Sequence, residues 1–162
     1  MAITDSLMKA LAENKKAFFD YELLEKFEAG LVLYGHEVKS IKTGHISLKG
    51  SFVTFKASAK TGRLAEGYLL NAHIPLYKFA NPKLQHDPLR SRKLLIKKSE
   101  INYLMGKKQV EGLTLVPLKI YTKHGLIKLE FALAKGRKKH DKRDVIKKRE
   151  VDRKIRTLTR NK

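Results

Sequence analysis

The sequence predicts a mainly β domain with a few helices, folded as a small closed or nearly closed antiparallel barrel and followed by a basic tail. Strand-like segments with alternating apolar residues follow one another along most of the chain. Glycines and other turn residues separate these segments at hairpin spacing. The 162 residues, 42% of them hydrophobic, suffice for one core. We divide the chain into a body, residues 1–134, and a tail, residues 135–162.

The N-terminal part of the chain predicts two short helices that flank two strands. Asp5 or Ser6 is available as the N-cap of the first helix, and Gly44 ends the second. In chain order we expect a helix over 5–13, strands over 17–24 and 30–35, and a helix over 36–42.

The middle of the chain predicts a hairpin and a long loop. The strands SFVTFKA (51–57) and RLAEGYLLNA (63–72) are joined by AKTG, which ends at Gly62. Residues 73–93 hold three of the four prolines, so we expect no strand or helix in the core there. Loops of this length are usually functional.

The last part of the body predicts a short apolar run, a helix and a second hairpin. The run is KLLIK (93–97), and Ser99 then caps a helix. The apolar face of this helix is Ile101, Leu104 and Met105, and its far end is bounded by Gly106 and Gly112. The hairpin covers residues 114–136 and turns at Lys123, His124 and Gly125. Its second arm alternates in the manner of a strand with one buried face, through Ile127, Leu129, Phe131 and Leu133.

Short antiparallel strands with one or two helices are typical of small barrels, and the oligonucleotide-binding fold is the common example that binds nucleic acid. The charge indicates the same kind of partner. Thirty-six Lys and Arg against sixteen Asp and Glu give a formal charge of +20, which a polyanion would neutralise. An anionic membrane surface is the rival partner, but it calls for a long amphipathic helix with apolar anchors, and the chain has no Trp.

Half of the net charge lies in the tail. Residues 135–162 carry fourteen Lys or Arg and four Asp or Glu, a net +10. Val151, Ile155 and Leu158 have the i, i+4, i+7 spacing of one weak apolar stripe. We expect a tail that is disordered when free and helical when phosphates neutralise it. The alternative is a charge run that only keeps the protein soluble.

The sequence offers few residues for catalysis or metal binding. It has no cysteine, so disulfides, thiolate zinc sites and cysteine nucleophiles are excluded. The six histidines form no i, i+4 pair, and no Walker or dinucleotide glycine spacing is present. We therefore predict a protein that is not an enzyme and has no cofactor or metal. Asp5, Lys9 and Glu13 interrupt the first segment, and no transmembrane run follows, so we expect a cytoplasmic protein.

Five sequence blocks, in order and at matching spacing, resemble one family between Asn14 and Arg149. They are NKKAFFDYEL, EAGLVLYGHEVKSIKTGHISL, HDPLRSRKLLI, GLTLVPLKIYTKHGLIKLEFALAKGRKKHDKRD and the IKKRE that follows. The family is small protein B, which binds bacterial transfer-messenger RNA (tmRNA, or SsrA). The resemblance implies a six-stranded antiparallel barrel related to the oligonucleotide-binding fold.

The resemblance also implies a mechanism. The body would clasp the elbow of the tRNA-like domain of tmRNA and stand in for the anticodon arm that this RNA lacks. The tail would enter the decoding centre of the small subunit and the empty mRNA channel of a stalled ribosome. The implied partners are tmRNA, the stalled ribosome, and alanyl-tmRNA with elongation factor Tu.

The residues implied to bind RNA fall in two groups. In the body the resemblance points to Asn14, Glu28, Leu95 and Gly136, with basic support from Lys15, Lys16, Arg90, Arg92 and Lys93. For Glu28 the alternative is an ordinary carboxylate at a strand end, although an acid can accept hydrogen bonds from bases or sugar hydroxyls. Leu95 suits the core equally well, and Gly136 also suits the end of the last strand.

In the tail, the implied decoding-centre cluster is Asp141, Lys142 and Arg143, preceded by His140, which can stack on a base. The residues implied to line the mRNA channel are Lys147, Lys148, Arg149, Arg153, Lys154, Ile155 and Arg156.

Two alternatives come from other functional classes. A general RNA-binding or ribosomal protein, held by charge without tmRNA specificity, would carry the same net charge. A nuclease would need carboxylates that gather Mg²⁺, and the candidates are Asp20, Glu22, Glu28 and Glu37.

Overall fold

The computed structural model describes residues 9–57, 65–110 and 112–160. These residues contain seven strands and four helices. The strands are β1 (Ala10–Glu13), β2 (Tyr21–Leu31), β3 (Phe52–Ala57), β4 (Ala65–Leu70), β5 (Arg92–Leu95), β6 (Leu113–Lys123) and β7 (Leu126–Gly136). The helices are α1 (Lys15–Asp20), α2 (Gly35–Lys42), α3 (Lys98–Lys108) and α4 (Lys139–Arg160).

The seven strands form one antiparallel sheet in the order β1-β6-β7-β2-β5-β4-β3. The long hairpin of β6 and β7 lies near its centre, and β2 pairs with β7 from Tyr21 opposite Gly136 to Gly30 opposite Lys128. The hairpin turn at His124 and Gly125 has positive φ at both residues, which matches the predicted position of the turn.

The sheet curls but does not close in the residues that the structure describes. Strand β3, at one edge, lies close to β6 near the other edge, yet their backbones form no ladder. The predicted six-stranded closed barrel is therefore not confirmed, because seven strands are present and two edges stay open. The mainly β, antiparallel class is as predicted, and the relation to the oligonucleotide-binding fold stays a prediction.

The main core fills the concave side of the curled sheet. Leu115, Leu129 and Phe131 from the central hairpin are fully buried there, and Ile41 from α2 and Leu104 from α3 pack against the same cluster. Because side chains alternate along a strand, the intervening residues of β2, β6 and β7 lie on the convex side.

Helix α1 covers one end of the convex side. Its Ala17 and Phe18 pack on Val116 and Leu118 of β6 and on Ala134 of β7, forming a small second core. The helix starts at Asn14, whose side-chain oxygen accepts a hydrogen bond from the amide of Ala17 at 3.3 Å. Beyond the reach of this six-residue helix, none of the helices in the described residues covers the convex surface.

The N-terminal elements differ from the sequence prediction. The predicted helix over 5–13 is wrong for the described residues, because Ala10–Glu13 is strand β1, paired with β6, and Leu11 packs on the main core. Residues 1–8, with the proposed caps Asp5 and Ser6, lie outside the described residues. Residues 17–20 of the predicted strand over 17–24 are helical, because the Asn14 cap and the contacts of Ala17 and Phe18 override their strand propensity.

Later elements follow the prediction more closely. Of the predicted strand over 30–35, only Gly30 and Leu31 are in β2. The connection AKTG lies outside the described residues, whereas β3 and β4 occupy the predicted segments. Helix α3 begins one residue before Ser99, with Lys97 at the N-cap, and it continues through Gly106. Ile101 and Leu104 are buried as predicted, but Met105 is exposed because the contact face of α3 is narrower than expected.

The C-terminal segment forms α4, a 22-residue helix whose described side chains are mostly exposed. Strand β7 ends at Gly136, and Arg137 donates a backbone hydrogen bond to Asp20 at 2.9 Å.

Replacing Leu129 by Ala tests the position of the core. Leu129 is fully buried among the residues of the main cluster, so we expect the free energy of unfolding to fall by about 2–5 kcal/mol. The matched control is Leu126→Ala in the same strand, where the side chain is 62% exposed and the change stays within about 0.5 kcal/mol. Urea unfolding of both variants measures this, and equal losses would contradict the assigned core.

Candidate nucleic-acid interface

The uncovered convex surface of the sheet is strongly polar, and we call it the polar sheet face. Glu28 and Glu130 lie directly opposite each other on β2 and β7, and Lys119 lies opposite Glu130 on β6. Four lysines accompany the two carboxylates and one tyrosine. The polar sheet face consists of Lys26, Glu28, Lys119, Tyr121, Lys123, Lys128 and Glu130.

Glu28 is bound within this face. Tyr121 donates its hydroxyl hydrogen bond to the Glu28 carboxylate, and the Lys123 ammonium lies 3.1 Å from the same oxygen. The Tyr121 hydrogen bond, aided by Lys123 and Lys128 and opposed by partial burial, holds the pKa of Glu28 below its usual value of 4.5. The carboxylate therefore stays ionised at neutral pH and fixes a phenol and a lysine beside it.

Glu130 organises two further lysines. Its carboxylate oxygens lie 3.4 Å from the Lys26 ammonium and 3.3 Å from that of Lys119. The two acids thus hold cations at fixed places, and the four lysines still leave an excess of positive charge. Such a surface can contact phosphates through the lysines and accept hydrogen bonds from sugar hydroxyls through the acids.

Leu95 lies beside this face and is 59% exposed, so it is not a core residue. It pairs with Gly30 across β5 and β2. A Cβ built at Gly30 would stand 3.2 Å from the Cβ of Leu95, so glycine allows the Leu95 side chain to lie over the strand. Leu95, Leu126 and Leu33 line a shallow apolar hollow next to Lys128.

Arg90 and Arg92 converge on one buried carboxylate. Glu37 of α2 accepts hydrogen bonds from the Nε atoms of Arg90 at 2.9 Å and Arg92 at 3.0 Å, and from the Tyr34 amide at 2.9 Å. Arg92 is fully buried and also donates to the carbonyl oxygens of Ala72 at 2.6 Å and Pro88 at 3.0 Å. Arg92 is thus placed to hold segments together, whereas Arg90 is partly exposed and stacks on the Tyr34 ring.

The ionised state of Glu37 follows from these partners. Burial acts to raise its pKa, but the hydrogen bonds from Arg90 and Tyr34 and the charge of Arg92 outweigh burial and lower the pKa below 4.5. Lys93, next to this network, has an exposed ammonium 2.8 Å from Glu66, and this hydrogen bond raises the pKa of Lys93.

The other predicted body residues lie at the far end of β2. The buried Asn14 side chain donates to the Pro117 carbonyl oxygen at 3.0 Å, while Lys15 and Lys16 next to it are exposed. Gly136 pairs with Tyr21 at the start of β2, and a Cβ there would meet nothing within 4 Å. At roughly 3.3 Å per residue, this end lies about 20 Å from Glu28. The structure thus places the predicted body residues at two separate ends of the molecule.

The tail helix meets the body through α1. The Lys142 ammonium lies 2.9 Å from the Asp20 carboxylate, and the Arg149 guanidinium lies 5.6 Å from the centre of the Phe19 ring. Asp141 accepts a hydrogen bond from the Lys138 amide at the start of α4, and His140 lies 3.0 Å from Asp141. The other predicted tail residues are exposed and are Arg143, Lys147, Lys148, Arg153, Lys154, Ile155 and Arg156.

Sequence reasoning missed most of the polar sheet face. The alternation of Lys128 and Glu130 with apolar residues in β7, and of Lys26 and Glu28 in β2, gave a signal for one wet face. Bringing these residues together with Lys119 and Lys123 required the strand register. No local sequence pattern indicated the structural role of Glu37, because this role depends on arginines more than fifty residues away.

The four carboxylates considered for a nuclease are dispersed, and Glu22 lies on β2 opposite Lys135 of β7. Asp20 pairs with Lys142, Glu28 with Lys123, and Glu37 with Arg90. Within residues 9–57, 65–110 and 112–160, no group of three or more His, Asp or Glu side chains is arranged to hold a metal ion. In the same part of the chain, no helix is long and apolar enough to cross a membrane.

Comparisons with known proteins find similarity to one family over most of this chain. A family model described as SmpB protein matches residues 11–161. The SsrA-binding protein of Thermosynechococcus vestitus is 47% identical over 91% of this chain and 93% of its own length. The SsrA-binding proteins of Enterococcus faecalis and Neorickettsia sennetsu are 48% and 52% identical, over 94% and 91% of this chain and 95% of each relative.

One solved structure, described as "tmRNA-SmpB: a journey to the center of the bacterial ribosome", contains a chain of similar fold. The sequence identity is 43% and the TM-score is 0.63. The match covers 79% of this chain and 85% of the solved chain.

Replacing Glu37 by Gln tests the buried network. The variant leaves the buried Arg92 charge uncompensated, so we expect the free energy of unfolding to fall by about 3–5 kcal/mol at pH 7. Because the pKa of Glu37 is lowered on folding, its contribution is complete above the unfolded pKa of about 4.5 and is lost as the pH falls through the folded pKa. Urea unfolding of the wild type and of Glu37→Gln, at pH 7 and at successively lower pH, measures this. The difference in the free energy of unfolding between the two proteins should shrink as the pH falls.

The matched control is Glu66→Gln, which weakens the partly exposed pair with Lys93 and the hydrogen bond from the Tyr68 hydroxyl. Its effect stays below about 1 kcal/mol. A Glu37→Gln variant as stable as Glu66→Gln at pH 7 would contradict the structural role of the network.

Proposed function

The chain belongs to the SmpB family, and we propose that it binds tmRNA and delivers it to stalled ribosomes in trans-translation. The observation that carries this proposal is the identity of 47–52% to SsrA-binding proteins over at least nine-tenths of the chain. The similarity to a chain of a tmRNA-SmpB structure supports it further. The role we propose is binding and positioning of RNA, without catalysis, in the bacterial cytoplasm.

The body is the proposed recognition module for the tRNA-like domain. The polar sheet face offers four lysines for phosphates and the Glu28 carboxylate for sugar hydroxyls, while Glu130 holds Lys26 and Lys119 in position. Exposed Lys15 and Lys16 offer a second cationic contact about 20 Å away. Two separated contacts on a rigid sheet favour an RNA of one shape, such as the elbow of a tRNA-like fold, over RNA in general. With the elbow bound, the protein occupies the place of the missing anticodon arm.

The tail is the proposed ribosome module. Its first turn carries His140, Asp141, Lys142 and Arg143, which we assign to the decoding centre. Arg149 and the exposed cations beyond it would contact ribosomal RNA along the empty mRNA channel. We propose that this segment is disordered in the free protein and becomes the helix α4 when phosphates neutralise it. Alanyl-tmRNA with elongation factor Tu is the proposed form in which the complex reaches the ribosome.

Truncation separates the two modules. We compare the full chain with a version that ends at Gly136, which keeps the whole β2-β7 ladder, in binding to a tRNA-like RNA and to an unrelated RNA of equal length. The truncation removes thirteen Lys or Arg and four Asp or Glu. We expect both proteins to prefer the tRNA-like RNA and the truncated protein to show a shallower salt dependence of affinity.

The same titrations decide between this proposal and a general RNA-binding protein. If neither protein prefers the tRNA-like RNA at moderate salt, binding is driven by charge alone, and the proposal fails. If the preference is lost only on truncation, the tail and not the body selects the RNA. Preference in both proteins supports recognition by the body.

Replacing Glu28 by Gln tests the polar sheet face. The change replaces an ionised acceptor by a neutral amide and weakens its contacts with Tyr121 and Lys123. Because Glu28 is the proposed acceptor for hydroxyl groups of the RNA, we expect affinity for the tRNA-like RNA to fall about tenfold or more. The matched control is Glu130→Gln, opposite Glu28 on the same face. We expect a change of less than about threefold there, measured by equilibrium titration at one salt concentration. Equal effects of the two variants would show that only the charge of the face matters.

A further inference from the structure

The loop between β4 and β5 carries two aromatic residues that belong neither to the polar sheet face nor to the tail. Phe79 is 76% exposed, and Tyr77 packs against it edge to face with ring centres 5.6 Å apart. One exposed apolar residue needs no explanation. Two adjacent rings on a long loop of an RNA-binding family do, because aromatic side chains are the usual platforms for unpaired bases.

The loop holds these rings at a fixed place. Just before them, the Ser40 hydroxyl donates to the Pro75 carbonyl oxygen at 2.9 Å, and His73 pairs with Ser47 through two backbone hydrogen bonds. A turn closes on the rings, where the Ala80 amide donates to the Tyr77 carbonyl oxygen at 2.9 Å. The aromatic pair is thus positioned by the fold before any partner binds, so little ordering opposes binding.

A small, mostly apolar hollow lies between this loop and α2. It is lined by Ser40, Thr43, His45, Pro75, Leu76 and the two aromatic residues. An apolar hollow with hydroxyl and imidazole groups at its edge suits a flat ring that carries hydrogen-bonding edges, which describes a nucleobase.

The charge around the rings favours a polyanion. The Lys39 ammonium lies 5.8 Å from the centre of the Tyr77 ring, and the Lys78 ammonium lies 5.5 Å from that of Phe79. The two segments that build the site, residues 38–49 and 73–86, contain five lysines and no Asp or Glu. Although Glu37 and Asp87 directly adjoin these segments, phosphates on either side of a stacked base would meet mainly positive charge here.

We propose that Tyr77 and Phe79 form a stacking platform for one unpaired base of the bound RNA, with Lys39 and Lys78 contacting the neighbouring phosphates. The platform is a third contact, apart from the polar sheet face and the α1 end of the sheet. The inference rests on the proposed function only in taking RNA as the partner.

Phe79→Ala in the full chain tests the platform. Loss of one stacked base weakens binding about five- to a hundredfold, and we expect this loss with the tRNA-like RNA and with a single-stranded oligonucleotide. A fully paired duplex of equal length has no base to stack, so its affinity stays unchanged. Phe79→Tyr keeps the affinity of the wild type, because the aromatic ring is kept. Phe79→Leu loses affinity as Phe79→Ala does.

Two controls separate stacking from other effects. Leu84→Ala removes an exposed apolar side chain from the same loop and leaves affinity unchanged. Lys78→Gln makes the salt dependence shallower by about one phosphate contact, whereas Phe79→Ala does not change it. Because Phe79 is largely exposed, its variants keep the thermal midpoint of the wild type.

Each outcome has one meaning. Unchanged affinity of Phe79→Ala for both RNAs with unpaired bases overturns the platform, and so does an equal loss on the duplex. A wild-type protein without preference for the tRNA-like RNA defeats the proposed function instead. In that case the comparison of affinities for the single strand and the duplex still decides whether the platform exists.

Discussion

The carboxylate of Glu37 joins parts of the chain that are far apart in sequence. It ties α2 to Arg90 and Arg92, and Arg92 in turn binds the carbonyl oxygens of Ala72, after β4, and Pro88, in the long loop. A buried charge network of this kind stabilises weakly by itself but is costly to break, so it specifies one arrangement of its members. That arrangement fixes the base of the 73–91 loop beside β5 and thus keeps Leu95 next to the polar sheet face and the aromatic pair beside α2.

The convex side of the sheet shows how packing leaves a charged surface exposed beside α1. Helix α1 buries the small residues at one end, including Ala132 and Ala134, and its six residues reach no further. Beyond it the strands carry lysines and two acids, and Glu28 and Glu130 hold those lysines in place. The fold therefore presents charge on a rigid strand lattice, where each cation keeps its position before RNA arrives.

Prediction from sequence succeeded where local pattern and tertiary packing agreed. The β6-β7 hairpin and helix α2 followed from alternation and glycines, and the tail cations followed from composition. The prediction for residues 10–20 was wrong because β1 forms by pairing with β6 and α1 forms by packing on the second core. Both contacts are with residues about a hundred positions away. The site was predictable only as single residues through the family resemblance, since the convergence of Glu28, Tyr121 and Lys123 needs the register of three strands.

The tail helix has few contacts with the body. Helix α4 contacts the body through Lys142 and Arg149 in its first half, and its apolar residues Val151, Ile155 and Leu158 are exposed. A helix with this excess of like charge and no buried face gains little stability from tertiary packing. In the proposed function, phosphates that neutralise the lysines stabilise the helix as well as the complex, so that folding and binding of the tail are one equilibrium. The body has its own core, so in the same proposal it selects the RNA without that entropic cost.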